Sequence, residues 1–186
     1  MKYVPHAIFG LIVATLLVGQ RFGFVWTGGD GYRPQRTATI EASAESYRRG
    51  ETVSTGPGER KRLVIASQSI AIDENTDVVL SDMRDESLSI KIVRGRIYVD
   101  GPITVTTNRT STSAESGALS IVNYDFLETL SIAPFFATAT VEIIGYTPIA
   151  TEKPVSIHET QPVSIVEIPF DTSAASVADF YRWAMR

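Results

Sequence analysis

Residues 88–99 read Leu88-Ser89-Ile90-Lys91-Ile92-Val93-Arg94-Gly95-Arg96-Ile97-Tyr98-Val99. Leu88, Ile90 and Ile92 alternate with Ser89 and Lys91, so an extended backbone puts the aliphatic chains on one face and the polar ones on the other. A helix would scatter the same residues around its axis. The alternation resumes at Ile97 and Val99 beyond the Arg94-Gly95-Arg96 triplet. This stretch therefore predicts strands with one apolar and one wet face.

The same period extends in both directions. Ile70 and Ile72 alternate with Ser69, Ala71 and Asp73, and the pattern recurs at Ile103 and Val105, at Leu119 and Ile121, and at Ala137, Ala139, Val141 and Ile143. Turn formers separate these runs at Gly56-Pro57-Gly58, Asp73-Glu74-Asn75, Asp82-Met83-Arg84-Asp85 and Asp100-Gly101-Pro102. At least six short strands are expected within 37–144, and no helical run interrupts them. The fold class is all-β: a β-sandwich, jelly roll or solenoid-like domain. The Thr- and Ser-rich run over 104–116 reads as the longest mobile loop and a contact site.

Toward the N-terminus, residues 3–20 carry no formal charge, and Phe22, Phe24 and Trp26 resemble an aromatic belt where a helix leaves the bilayer. Residues 1–26 are expected to form an uncleaved signal-anchor transmembrane helix, since no small-x-small cleavage site follows the apolar run. Lys2 biases the N-terminus toward the cytoplasm, so a single-pass inner-membrane protein with the bulk of its chain in the periplasm is expected. Residues 27–36, rich in Gly, Asp and Pro, read as a flexible stalk.

Toward the C-terminus, Pro148, Pro154, Pro162 and Pro169 punctuate residues 145–170, which are expected to be extended edge segments or a semi-rigid linker. Residues 171–186 read as a short amphipathic helix capped by Asp171 or Thr172. Its Phe180, Tyr181, Trp183 and Met185 are the candidate partner-binding residues, either folding back on the β-domain or docking on another protein.

Composition excludes several classes of function. The 186-residue chain is 44% hydrophobic and 20% charged, a globular balance. Of its 17 basic side chains, Lys2 and Arg21 lie within 1–26, leaving 15 against 21 acidic ones, a net charge of −6. That sign argues against nucleic acid as a partner. The Arg60-Lys61-Arg62 run reads as a solvated strand edge. The absence of cysteine removes disulfides, thiolate nucleophiles and zinc-thiolate sites. His158 reads as solvated, and Asp73-Glu74-Asn75-Thr76-Asp77 as a hairpin turn, because Val78 and Arg84 stand where a calcium loop needs Gly and Glu. No catalytic, cofactor-binding or metal-binding residue is assigned, and an enzyme is not expected.

Tyr47, Thr55, Gly58-Glu59-Arg60, Leu63-Val64-Ile65, the Ala66-Ser67-Gln68-Ser69 turn, Ile70-Ala71-Ile72 and Asp73-Glu74-Asn75-Thr76 come in a definite order. They are followed by residues 90–99 and by Pro102-Ile103-Thr104-Val105. In this order they resemble the FecR-like periplasmic domain of bacterial envelope regulators over about 47–107, with a weaker continuation to residue 144. The family's hairpin carries Asp-Gly where Ser67-Gln68 stands here. Its cytoplasmic sigma-handling segment has no counterpart in the few residues ahead of the apolar span. The resemblance implies a periplasmic β-domain that acts through protein–protein contacts as a binding, scaffold or signal-relay module. The alternative is a lipid-handling bridge, similar in layout to the lipopolysaccharide-transport bridge. An envelope hydrolase ranks below both.

Overall fold

The period-two runs become fourteen strands in the computed structural model, which describes residues 38–43, 47–65, 68–84 and 87–186. The expected anchor (1–26) and stalk (27–36) lie outside the described residues. Among the described residues, no helix is long and apolar enough to cross a membrane.

In chain order the strands are β1 (Ala38–Ser43), β2 (Thr52–Ser54), β3 (Glu59–Ile65), β4 (Gln68–Ile72), β5 (Asp77–Arg84), β6 (Ser87–Asp100) and β7 (Ile103–Thr106). They continue as β8 (Thr110–Ala114), β9 (Ala118–Tyr124), β10 (Thr129–Phe135), β11 (Ala139–Ile143), β12 (Ile149–Thr151), β13 (Val155–His158) and β14 (Ser164–Glu167). One helix, α1 (Ala175–Ala184), closes the chain.

The stretch over 88–99 lies within one 14-residue strand, not two short ones. Residues 87–94 of β6 pair with β5 and, in parallel, with β7, whereas residues 95–100 pair with β4 and β9. The buried face changes from even positions (Leu88, Ile90, Ile92) to odd ones (Ile97, Val99) across Gly95. Gly95 has φ +97°, and a Cβ there would stand 2.2 Å from Thr76 Oγ1 and 2.6 Å from Thr76 Cα. Only glycine fits this corner.

Because β6 belongs to both halves, the strands form a single open sheet curled on itself. One half runs β1-β3-β4-β6-β9-β10-β13-β14 and the other β2-β5-β6-β7-β8-β11-β12. Leu63, Ile70, Ile97, Leu119 and Ile157 of the first half pack in one cluster with Leu80, Ile90, Val105 and Val141 of the second. Each such side chain contributes roughly 1.5–3 kcal/mol on burial, the stabilisation a cysteine-free domain depends on. A lipid-handling bridge needs an apolar groove between these halves, and branched aliphatic chains occupy that space.

Three local expectations are corrected. Residues 104–116 are the β7–β8 hairpin: Thr110, Thr112 and Ala114 alternate inward, as β-branched residues can, and Glu159 pins the turn by accepting from the Thr107 and Thr110 hydroxyls at 3.1 and 2.6 Å. The turn over 73–77 is not a hairpin, since β4 and β5 do not pair with each other: β4 lies along residues 97–100 of β6 and β5 along residues 87–94, so the chain crosses from one half to the other. Residues 145–170, by contrast, hold to the expected extended edge segments: they carry β12, β13 and β14, which extend both halves. Helix α1 starts at Ala175 with Ala174 at the N-cap and no side-chain cap. The Asp171 carboxylate accepts from the Ser173 backbone N–H (2.7 Å), a local turn bond that leaves the helix N–H groups untouched.

Candidate interaction face under the C-terminal helix

Strand pairing lines up Arg62, Ala71, Tyr98, Ser120 and Ala133 across the outer face of the first half. The alternation that sends Ile70, Ile97 and Leu119 into the core points these residues out. Ala71, Ala118 and Ser120 are small, and the space above them is filled by Phe180, Tyr181 and Ala184 of α1, with Phe135, Val177 and Trp183 at the margin. Tyr98 and Phe135 meet edge to face at 5.7 Å, and Phe135 lies 6.3 Å from Tyr181.

Arginines from the sheet hold the helix at both ends. Arg62 Nη2 donates to the carbonyls of Trp183 (2.7 Å) and Ala184 (3.3 Å) at the helix C-terminus, where Trp183 otherwise accepts only a long bond from the Arg186 N–H (3.4 Å). Arg60 Nη2 donates to the Ser176 carbonyl at 3.3 Å. The same guanidiniums lie over rings: Arg62 is 5.1 Å from the Trp183 centroid, while Arg60 and Arg96 are 5.7 and 5.8 Å from that of Phe180. The Arg60-Lys61-Arg62 run is therefore not a solvated edge. Its two arginines share a strand face and turn under the helix, whereas Lys61 points the other way and donates to the Ser54 carbonyl at 2.7 Å.

Asp73 sits between Arg60 Nε and Arg96 Nη1, each at 2.9 Å. Burial pushes its carboxyl above the usual value and outweighs the pull of Arg96, the Glu74 backbone bond and Arg60. Three guanidiniums share this face with one ion-paired carboxylate. The remaining positive charge meets aromatic faces and the helix C-terminal carbonyls. The Nε atoms of Arg62 and Arg96 are buried without a partner.

A second polar contact fixes the helix axially. The Ser120 hydroxyl donates to the Ile97 carbonyl (3.2 Å), so the Tyr181 hydroxyl donates to Ser120 Oγ at 2.6 Å. Burial raises the Tyr181 phenol above its ordinary value, more than Ser120 and Arg96 lower it. Beside the helix N-terminus lies an open hollow of about 230 Å³, walled by Arg96, Val122, Ser131, Pro154, Phe170 and Tyr181. An adjoining hollow of about 370 Å³ shares Arg96, Val122 and Tyr124 with it.

Of the four residues singled out in the helix, Phe180 is 0% exposed and Tyr181 is buried, both against the chain's own sheet. Trp183 is half-buried, and Met185 is 49% exposed. Arg60, Arg62, Asp73, Arg96 and Ser120 were not anticipated. The signal available was their common parity, which puts Arg60 with Arg62 and Ser120 with Val122 on outward positions; the helix that covers them is distant in sequence. His158 is exposed on β13, its Nδ1 3.2 Å from the hydroxyl of Thr129, its cross-strand neighbour.

No family model matches the chain, and no curated protein matches it by sequence. The fold is similar to two crystal structures of a candidate anti-sigma factor from Parabacteroides distasonis, at 2.50 and 1.65 Å resolution. The TM-score is 0.54 in both cases, with 12% and 11% identity over 63% of this chain. The matched region spans 59% of that protein's length. The class so defined is a mostly β domain, a curled open sheet with one short C-terminal helix.

Proposed function

We propose that the chain is a FecR-like signal-relay module of the bacterial envelope: anchored by its first 26 residues, carrying its β-domain in the periplasm, and acting by protein contact without catalysis. One observation carries the reading. An aromatic helix at the end of the chain is clamped on the outer face of the sheet by a polar grip, leaving Met185 and the neighbouring hollow accessible. A terminal element docked through one side, with the other left exposed, can report the arrival of a partner there. The fold shared with a candidate anti-sigma factor supports a regulatory role.

The test compares partner recovery from envelope extracts by the full chain, by a chain lacking residues 172–186, and by the Met185→Glu variant. Deletion also uncovers Tyr98 and Phe135, whereas Met185→Glu leaves the docked side of the helix unchanged. Recovery is expected to be lost on deletion and reduced at least several-fold by Met185→Glu at unchanged thermal stability. Undiminished recovery with both would remove the helix as the docking element.

A further inference from the structure

The edge formed by β14 differs from a protected one. Strands at sheet edges are usually blunted by lysine, proline, a bulge or very short length. β14, Ser164-Ile165-Val166-Glu167, has none of the first three, and all four residues are exposed, Ile165 at 39% and Val166 at 52%. The opposite half ends on β12, with three residues and only Ile149 as a large aliphatic.

The backbone directions of this edge follow from one bond. Ile168 N–H donates to the Pro154 carbonyl at 3.0 Å, and Pro154 and Ile168 continue the register that pairs Val155 with Glu167 and Ser156 with Val166. Hydrogen-bonded and non-bonded pairs alternate along an antiparallel ladder. Val166 and Ser164 thus turn their backbone groups toward β13, and Ile165 and Glu167 turn theirs outward. The outward positions on either side are closed, because Val163 N–H goes to the Tyr146 hydroxyl (3.4 Å) and Pro169 has no N–H. The N–H groups of Ile165 and Glu167 remain open, with their own carbonyls beside them.

We propose that this edge pairs with the β14 edge of a second copy of the chain, antiparallel about a two-fold axis at Val166. Ile165 then faces Glu167 of the second copy and Glu167 faces its Ile165, in two hydrogen-bonded pairs. Every open outward N–H then meets an outward carbonyl, and a longer partner strand would find no further donor on this edge, with the N–H at 163 taken and none at 169. Val166 faces its own copy in a non-bonded pair, where side chains approach most closely. The charges also agree: Glu167 is paired with Lys153 at 3.0 Å, and the two Glu167 side chains do not meet. The edge geometry stands apart from the helix face and does not depend on its role.

The chain contains no cysteine, so one introduced thiol is a unique reporter. In the full chain, in its native membrane, Val166→Cys is expected to form a disulfide-linked dimer under mild oxidation, at least tenfold more than Ala150→Cys on β12. Adding Ile165→Pro removes an outward N–H that the fold does not use, and should abolish the Val166→Cys dimer while the thermal midpoint stays within a few degrees. Equal cross-linking at both cysteines, a folded Val166→Cys chain that stays monomeric, a dimer that survives Ile165→Pro, or adducts only to a different protein would each overturn the proposal. The last outcome would assign the edge to a foreign strand.

Discussion

Tyr181 concentrates the chemistry of the helix contact in one hydroxyl. Its ring is buried and its O–H is spent on Ser120, so ionisation would place a poorly solvated charge beneath the helix that Arg96 offsets only in part. A phenol whose folded value lies above its ordinary 10.0 keeps its proton when the unfolded chain has lost it. The folded state therefore binds more protons in that interval, and stability falls with rising pH there. Stability is expected to be full below pH 10 and to decline as pH rises past 10 toward the raised value. Tyr181→Phe should cost about 1 kcal/mol at pH 7 and flatten most of that alkaline decline, with Tyr98, also raised by burial, keeping the rest. Urea midpoints between pH 7 and 11 measure both effects; an unchanged alkaline slope in the variant would contradict the assignment. The aromatic character of Tyr181 was plain in the sequence. Its partner was not, since nothing local links it to a serine on β9.

At the scale of elements, β6 shows what periodicity can and cannot reveal. Its two alternating runs were visible around Gly95, but their union in one strand depended on the corner. Two hydrogen bonds between Thr76 Oγ1 and the Arg96 backbone, at 3.0 and 3.3 Å, brace that corner where the buried face changes parity. Gly95→Ala would force a Cβ into Thr76 at a positive φ, and is expected to destabilise the domain by about 3 kcal/mol. A urea titration showing a loss below 1 kcal/mol would mean that the corner relaxes. The β7–β8 hairpin shows the opposite weakness of a sequence reading. Threonine-rich composition suggested a loop, yet threonine suits a pleated strand, and Glu159, far along the chain, satisfies the hydroxyls at its turn. The proline-punctuated segment contributes three strands, in keeping with the extended edge segments expected there, because proline is tolerated between short edge strands.

For the molecule as a whole, the core cluster and the helix contact both lie within the β-domain, so residues 37–186 should fold without the preceding segment. Trp183 is the only tryptophan in that fragment and sits at the helix margin. Its fluorescence and the far-ultraviolet β signal are expected to change in one coincident urea transition. A separate, earlier change in Trp183 would show that α1 undocks while the sheet stays folded.

The sequence by itself determined the all-β class, most of the inward-facing residues and the position of a short aromatic helix at the end of the chain. These depend on local spacing: period two along strands and the side-chain types at each turn. Tertiary structure alone decided that β6 serves both halves of a curled sheet, that Arg60 and Arg62 grip a helix more than 110 residues away, and that Asp73 balances Arg60 and Arg96. The reason is physical. Alternation specifies which side of a strand is apolar, but a buried charge is stable only where a distant partner is brought within hydrogen-bonding distance, and no short window of sequence contains that partner.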